Sequence, residues 1–297
     1  MSNAALRAPS ADPESNWSER LLENGYCMIP NLMSPSKVRA LHDDLRERFE
    51  KTGFSDGDFY GRRTKRFGGL LKRSAHAAAF VQNPLILDIA QSVLGLHCDR
   101  FQLNLTQALE IWPGEPEQLP HRDQDMWQGP KGQIEYLINV MWPFTPYRRE
   151  NGATVLWPNS HKHQGASRPP RSEAIEAEMD PGSALLFLGS TLHGGGSNRT
   201  EAPRAGMIVS YSLGWLKPYE NQWLTYPPHI ARNFSPELAA LVGYRQHRPN
   251  LGNVDGRCPS LLLGDELSEY GRAVDELRDE QVKPLAAYRA RLLAGGT

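Results

Sequence analysis

"RFQLNLTQALEIW", residues 100–112, sets Phe101, Leu103 and Leu105 in alternation with polar residues. A period of two puts alternate side chains on one face of a pleated backbone, so the stretch predicts a half-buried β-strand. Working outward, "IEYLINVMWPF" (134–144) is apolar on both faces. "TVLWP" (154–158), "ALLFL" (184–188) and "GMIVSYSLGWL" (206–216) are short apolar runs separated by Gly, Pro and Asn turns. Short strands at close spacing without βαβ alternation predict a dense antiparallel core over about residues 99–216, a sandwich or jelly roll rather than a Rossmann sheet. No GxGxxG, P-loop, GxSxG or internal repeat interrupts it.

The flanks have helical period. In "SPSKVRALHDDLRERFEKTG" (34–53), Ser34 suits a cap, Pro35 a first turn, and Val38, Leu41, Leu45 and Phe49 form one stripe. "NPLILDIAQSVLGL" (83–96) repeats the pattern, with Gly95 as its expected stop. The C-terminal "NFSPELAALVGYRQHRPNLGNVDGRCPSLLLG" (233–264) mixes turns with short helical pieces, and "VKPLAAYRARLLAG" (282–295) predicts a last amphipathic helix. The expected organisation is a disordered tail over 1–16 and a single domain over 17–297. Within that domain a helical part runs to about 98, the β core to about 216, and a covering segment to the end.

A formal charge of −1, from 33 basic and 34 acidic residues, gives no general pull toward nucleic acid or membrane. No run approaches the roughly 18 apolar residues of a membrane span. Three dispersed cysteines, Cys27, Cys98 and Cys258, form no disulfide framework or zinc knuckle, and a cytoplasmic location is expected.

"LPHRDQDMW" (119–127) carries the chemistry. In a strand, His121 and Asp123 project from one face while Arg122 faces away. Alone, that pair is equally an ordinary hydrogen-bonded surface pair. His193 supplies a third donor: it is expected at the end of an apolar strand and before the Gly-rich turn "GGGSN", where small residues allow close approach. Two histidines and one carboxylate with open positions form the facial triad of non-haem Fe(II) oxygenases. Catalytic zinc using the same donors typically takes a helical HExxH, which is missing. Fe(II) with Asp123 carries one positive charge and a 2-oxoglutarate dianion leaves one negative, so a bidentate arginine is wanted nearby. Arg204, eleven residues beyond His193 on the next strand, can return to that position.

In that order, the "HRD" pair, "NGATVLWPNSH" (151–161), His193 and Arg204 resemble the phytanoyl-CoA dioxygenase-like family of Fe(II)/2-oxoglutarate-dependent oxygenases. The opening "LLENGYCMIPNLMSPSKVRAL" (21–41) is similar too, and the likeness runs from about residue 20 to at least 225, nearest to the branch acting on secondary metabolites. "PNSH" departs from the family's usual glycine before the serine, which bears on the turn at Ser160. The resemblance implies a double-stranded β-helix, mainly β with flanking α-helices, with His121, Asp123 and His193 on iron and Arg204 on 2-oxoglutarate. It also implies Gln118 and Thr154 as helpers in holding the cosubstrate. Dioxygen would then be consumed to oxidise a small molecule, giving succinate and carbon dioxide. Related halogenases lack the carboxylate, so Asp123 disfavours halogenation.

Trp127, Tyr60 and Trp223, with Phe59 and Trp215, are candidates to line an apolar substrate cleft. "FYGRRTKRFGGLLKRS" (59–74) suits a solvated basic face, an anion contact or a mobile flap. His161 and His163 read as polar-loop residues and Asp125 as a solvated neighbour of Asp123. A homodimer is the default expectation. Two other functions compete: a cupin-type metal lyase or isomerase without 2-oxoglutarate, and a non-catalytic ligand-binding jelly roll. The first has no use for Arg204, and the second none for the triad.

Overall fold

The computed structural model describes residues 16–163, 169–264 and 271–295. The expected tail lies outside them except for Asn16, whose side chain accepts a hydrogen bond from the Glu19 N–H (3.2 Å) and caps helix α1, Trp17–Asn24. Gly25 (φ +83°) then turns the chain into strand β1, Tyr26–Ile29. A Cβ there would stand 2.5 Å from His161 Nδ1 and 2.6 Å from Thr191 Oγ1, so only glycine fits both the angle and the space.

Helix α2, Pro35–Lys51, is capped by Ser34 and buries the four residues of its expected stripe. Strand β2 (Thr64–Gly68) and helices α3 (Ala77–Val81) and α4 (Pro84–Leu94) come next. Asn83 caps α4, and Gly95 ends it at φ −64°, without the left-handed turn that a glycine stop usually makes. The β core comprises β3 (Phe101–Ile111), β4 (Leu137–Pro143), β5 (Thr154–Leu156), β6 (Ile175–Glu176), β7 (Ala184–Leu188), β8 (His193–Gly195) and β9 (Arg204–Leu213). They form an antiparallel sheet of order β1-β7-β4-β9-β3-β2 and a smaller antiparallel sheet of order β6-β5-β8.

Period-two burial builds two layers. From β9, Ala205, Met207, Val209, Tyr211 and Leu213 face the helices and pack with Val38, Leu41 and Leu45 of α2 and Ile86 and Ile89 of α4. Leu185 and Phe187 of β7 and Met141 of β4 face the other way, toward Leu156 of the small sheet. The site lies in this second layer, between the sheets.

Strand β3 departs from simple alternation. Its register against β9 shifts between Leu103 and Leu105, a bulge at Asn104 that reverses the facing of the remaining residues of the strand. Leu103 therefore packs on the helix side while Leu105 and Leu109 line the cleft. Asn104 uses the irregularity: its Nδ2 donates to Ser210 Oγ (2.9 Å), while its Oδ1 and main-chain oxygen accept from the N–H groups of Tyr219 (2.8 Å) and Glu220 (3.0 Å). The segment after β9 is thereby pinned beside the cleft.

Beyond β9 lie helices α5 (Gln222–Thr225), α6 (Pro228–Ala231), α7 (Pro236–Ala239) and α8 (Asp279–Leu293). Tyr226, Leu238, Val242 and Tyr244 close over the helix-side core. Helix α8 buries no residue, so this cover comes from the short pieces and not from the last helix.

Asp99, with its side chain 4% exposed, clamps this segment by accepting from Arg248 N (3.0 Å), Nε (2.9 Å) and Nη2 (2.7 Å). Burial alone would raise its carboxyl, but the Arg248 hydrogen bonds and charge outweigh burial and hold it below the ordinary range. A depressed folded value means the stabilisation is complete above the unfolded value of about 4 and lost as pH falls through the folded one. Asp99→Asn is expected to cost about 2 kcal/mol at pH 7. In urea titrations this difference should persist to about pH 5 and shrink below about pH 4.

Candidate active site

Strand β8 places His193, and main-chain pairing places His121 opposite it: His121 N–H donates to His193 O (2.9 Å) and His193 N–H to His121 O (3.0 Å). The close approach needs small neighbours, since a Cβ on Gly194 would stand 3.1 Å from the Gln118 carbonyl oxygen. The HxD segment is not a regular strand. His121 makes an isolated bridge, Arg122 is extended, and Asp123 opens a 3-10 turn that ends at Met126. Arg122 does point away from the site, donating to the carbonyls of Ser190 (2.9 Å), Ser160 (3.1 Å) and His163 (2.9 Å). His193 likewise opens the short strand β8 rather than ending the preceding apolar one.

Both imidazoles are oriented by main chain. His121 Nδ1 pairs with Leu119 O (3.0 Å) and His193 Nδ1 with Thr191 O (3.0 Å), a partner that can only accept, so each Nδ1 carries the proton and each Nε2 turns inward. The Nε2 atoms lie 3.4 Å and 3.5 Å from the Asp123 carboxylate oxygens, and the three donor atoms fall within 4.8 Å of one another. Three lone pairs facing one point repel unless a proton or a metal cation sits among them, and nitrogen with carboxylate oxygen suits a divalent transition metal. Burial lowers the His193 imidazole to about 4, against the partial opposition of Asp123. Burial would raise the Asp123 carboxyl, yet His193, His121 and the Asn139 amide bring it down to about 2. At neutral pH the carboxylate is charged and His193 neutral, the protonation states a metal ligand requires.

The triad opens into a cleft of about 390 Å³ between the sheets, with Leu105, Leu109, Met126, Met141, Phe187 and Ile208 among its apolar walls. Arg204, 1% exposed, enters from the start of β9 and stacks on Tyr147, with Cζ 4.3 Å from the ring centroid. Its Nε and Nη1 have no hydrogen-bond partner among the described residues. Thr154 lines the same cleft from β5, and Gln118 spans its edge, accepting from Gly195 N–H (3.1 Å) and donating to Phe59 O (3.0 Å).

A family model for phytanoyl-CoA dioxygenase (PhyH) matches residues 21–206. The chain belongs to that family. Among its curated relatives, Dioxygenase trt7 of Aspergillus terreus is 29% identical over 247 residues, covering 80% of this chain and 86% of the relative. Dioxygenase swnH1 of Metarhizium robertsii is 30% identical over 284 residues, covering 88% and 92%. Of solved structures, the non-heme alpha ketoglutarate dependent epimerase SnoN of nogalamycin biosynthesis aligns with a TM-score of 0.56 at 17% identity, over 67% of this chain and 80% of that one. HygX of Streptomyces hygroscopicus, solved with nickel, 2-oxoglutarate and hygromycin B, aligns with a TM-score of 0.54 at 16% identity, over 68% and 88%. The fold is the jelly roll these enzymes share.

In this PhyH-family chain the other sequence candidates fall on both sides of the cleft wall. Tyr60 reaches the mouth, where its hydroxyl pairs with that of Tyr219, and Phe59 lies 4.9 Å from the His121 ring. Trp127 and Trp223 do not line it. Trp127 packs on Tyr136 and donates to Lys217 O (2.9 Å), while Trp223 donates to Gly243 O (3.1 Å) at a separate groove. In both, the indole N–H is satisfied by a main-chain carbonyl away from the triad. Trp215 likewise donates to His97 O (3.0 Å), outside the cleft. Asp125 borders the cleft as an exposed carboxylate 3.8 Å from Lys131, and His161 pairs with Leu22 O (2.9 Å) away from the triad.

Residues 59–74 contain edge strand β2, which puts Arg66 opposite Leu109 and turns its side chain into the cleft. There Arg66 donates to Gln107 Oε1 (3.3 Å), lies over the Tyr60 ring at 5.4 Å and leaves Nε without a partner among the described residues. Its signal in the sequence is a single basic residue among six, and nothing in the composition separates it from its solvated neighbours.

Proposed function

We propose that this chain is an Fe(II)- and 2-oxoglutarate-dependent dioxygenase that oxidises a mid-sized, largely apolar small molecule of secondary metabolism. The observation that carries the reading is Arg204. A guanidinium this buried, with two nitrogens unpaired among the described residues in the same cleft as a convergent His-Asp-His set, calls for a dianionic ligand reaching both. A metal lyase or a silent jelly roll gives it no partner. Dioxygenase relatives and a fold shared with 2-oxoglutarate enzymes support the same assignment.

The roles come from position. His121, Asp123 and His193 hold the metal, Arg204 pairs with the distal carboxylate, and Thr154 and Gln118 border the path between them. Arg66 adds a second positive charge facing that path. When bound, the metal and 2-oxoglutarate together supply the power to oxidise a C–H bond with dioxygen, forming succinate and carbon dioxide. The chain's own work is to hold the substrate carbon against the metal face and exclude water, and the apolar walls and the Tyr60–Tyr219 pair at the mouth are suited to that. How the substrate is held decides among hydroxylation, desaturation, epoxidation and ring formation. We place the enzyme in the cytoplasm because its three cysteines are all free.

Anaerobic addition of Fe(II) and then 2-oxoglutarate should produce a visible metal-to-ligand charge-transfer band. Folded protein that shows no band, and releases no succinate in air, would overturn the reading.

A further inference from the structure

Asn139 occupies the middle of β4 with no exposure, in a row whose cleft-side members Leu137 and Met141 are apolar. Strands β7 and β9 flank it on both edges, so water does not reach its amide from the sides. Its Nδ2 donates to Asp123 Oδ2 at 2.9 Å, and its Oδ1 has no partner among the described residues. Burying an amide with one end unpaired costs about 1–3 kcal/mol, so packing alone favours leucine here.

The two imidazoles take their orientation from main-chain carbonyls, which no substitution removes. Asp123 differs: apart from the two histidines, the side chain that holds its carboxylate among the described residues is Asn139. We propose that Asn139 is a positioning residue for the metal ligand Asp123. By occupying Oδ2 it favours a one-oxygen ligand over a two-oxygen chelate, so that the positions needed by cosubstrate and dioxygen stay open. This rests on the metal-site reading above. The amide acts through Asp123 and touches neither metal nor substrate.

The test uses Co(II) alone as the probe, titrated into full-length protein and followed by its visible ligand-field bands, with wild type beside Asn139→Leu and Asn139→Ala. Outer-shell partners of metal ligands typically contribute 10–100-fold in affinity. Both variants should show a Co(II) Kd raised about 10–100-fold and an altered band pattern, while circular dichroism shows the metal-free fold intact. A structural residue would alter the melting temperature without altering the spectrum of the bound ion. Should the leucine variant fail to fold, the alanine variant, which only shortens the side chain, decides. Wild type that binds no Co(II) overturns the metal site itself. Wild type that binds, beside folded variants of equal affinity and unchanged spectrum, overturns the role of Asn139 and leaves the site standing.

Discussion

His193→Ala is expected to abolish the Fe(II)/2-oxoglutarate band and to lower turnover by about 10³-fold or more, beyond the 10–100-fold that outer-shell partners contribute. The backbone that pairs residue 193 with His121 survives, because both hydrogen bonds are main chain. What disappears is one of three donors within 4.8 Å of one another, leaving one nitrogen and one carboxylate. The fold loses little: the ring is buried against Phe187 with centroids 4.5 Å apart, and its removal should cost about 1–3 kcal/mol as a cavity. Below about pH 4, where His193 would be protonated, its absence lets the Asp123 carboxyl rise from its value of about 2, since burial then acts with less opposition. Metal content after dialysis checks the result. A folded variant that retains a full equivalent of iron and the band would remove His193 from the ligand set.

How far the sequence discloses this site depends on what fixes each residue. The HxD spacing is local, while the meeting of that pair with the distant His193 and Arg204 is a long-range fact that the sequence offers only through the order of its motifs and the family they resemble; both readings survive although His121 and Asp123 sit on a bridge and a turn instead of one strand. The β core is legible where apolar runs are continuous, as in β4, β7 and β9. Strand β2 is not: "TKRFG" reads as a charged loop, and its pairing with β3 is a long-range fact. Alternation assigns Leu103 and Leu105 to one face because it assumes regular pleating, and the Asn104 bulge reverses it. Trp127 and Trp223 are large aromatics that suit a cleft, yet an indole N–H settles wherever a carbonyl is in reach. Asn139 is readable in principle, as the amide inside "IEYLINVMWPF", a run otherwise apolar on both faces.

Arg204→Met separates binding from folding, and the two effects should have opposite signs. Without a ligand, Arg204 is 1% exposed, two of its nitrogens have no partner among the described residues, and its guanidinium lies over the face of Tyr147 at 4.3 Å. Stacking on a buried ring returns about 2 kcal/mol or somewhat more, short of the several kcal/mol that an isolated buried charge loses on leaving water. Methionine has comparable length and flexibility and no charge to desolvate. The metal-free variant should therefore be as stable as wild type or about 1–2 kcal/mol more stable, a rise of up to about 4 °C in melting temperature. Binding moves the other way. Truncating one partner of a buried charge-assisted pair costs about 2–5 kcal/mol, so 2-oxoglutarate affinity should fall about 30- to 4,000-fold. At a ligand concentration near 100 times the wild-type Kd, 2-oxoglutarate stabilises wild type by about 2.7 kcal/mol, and a variant weakened 100-fold by only about 0.4 kcal/mol. Arg204→Lys should lie between, since an ammonium keeps the charge and loses the bidentate fork. Differential scanning fluorimetry of the metal-free proteins reads the first effect, and of the anaerobic Fe(II) proteins with and without 2-oxoglutarate the second. A variant strongly destabilised without ligand, or one with an undiminished 2-oxoglutarate shift, would show that Arg204 serves the fold and not the cosubstrate.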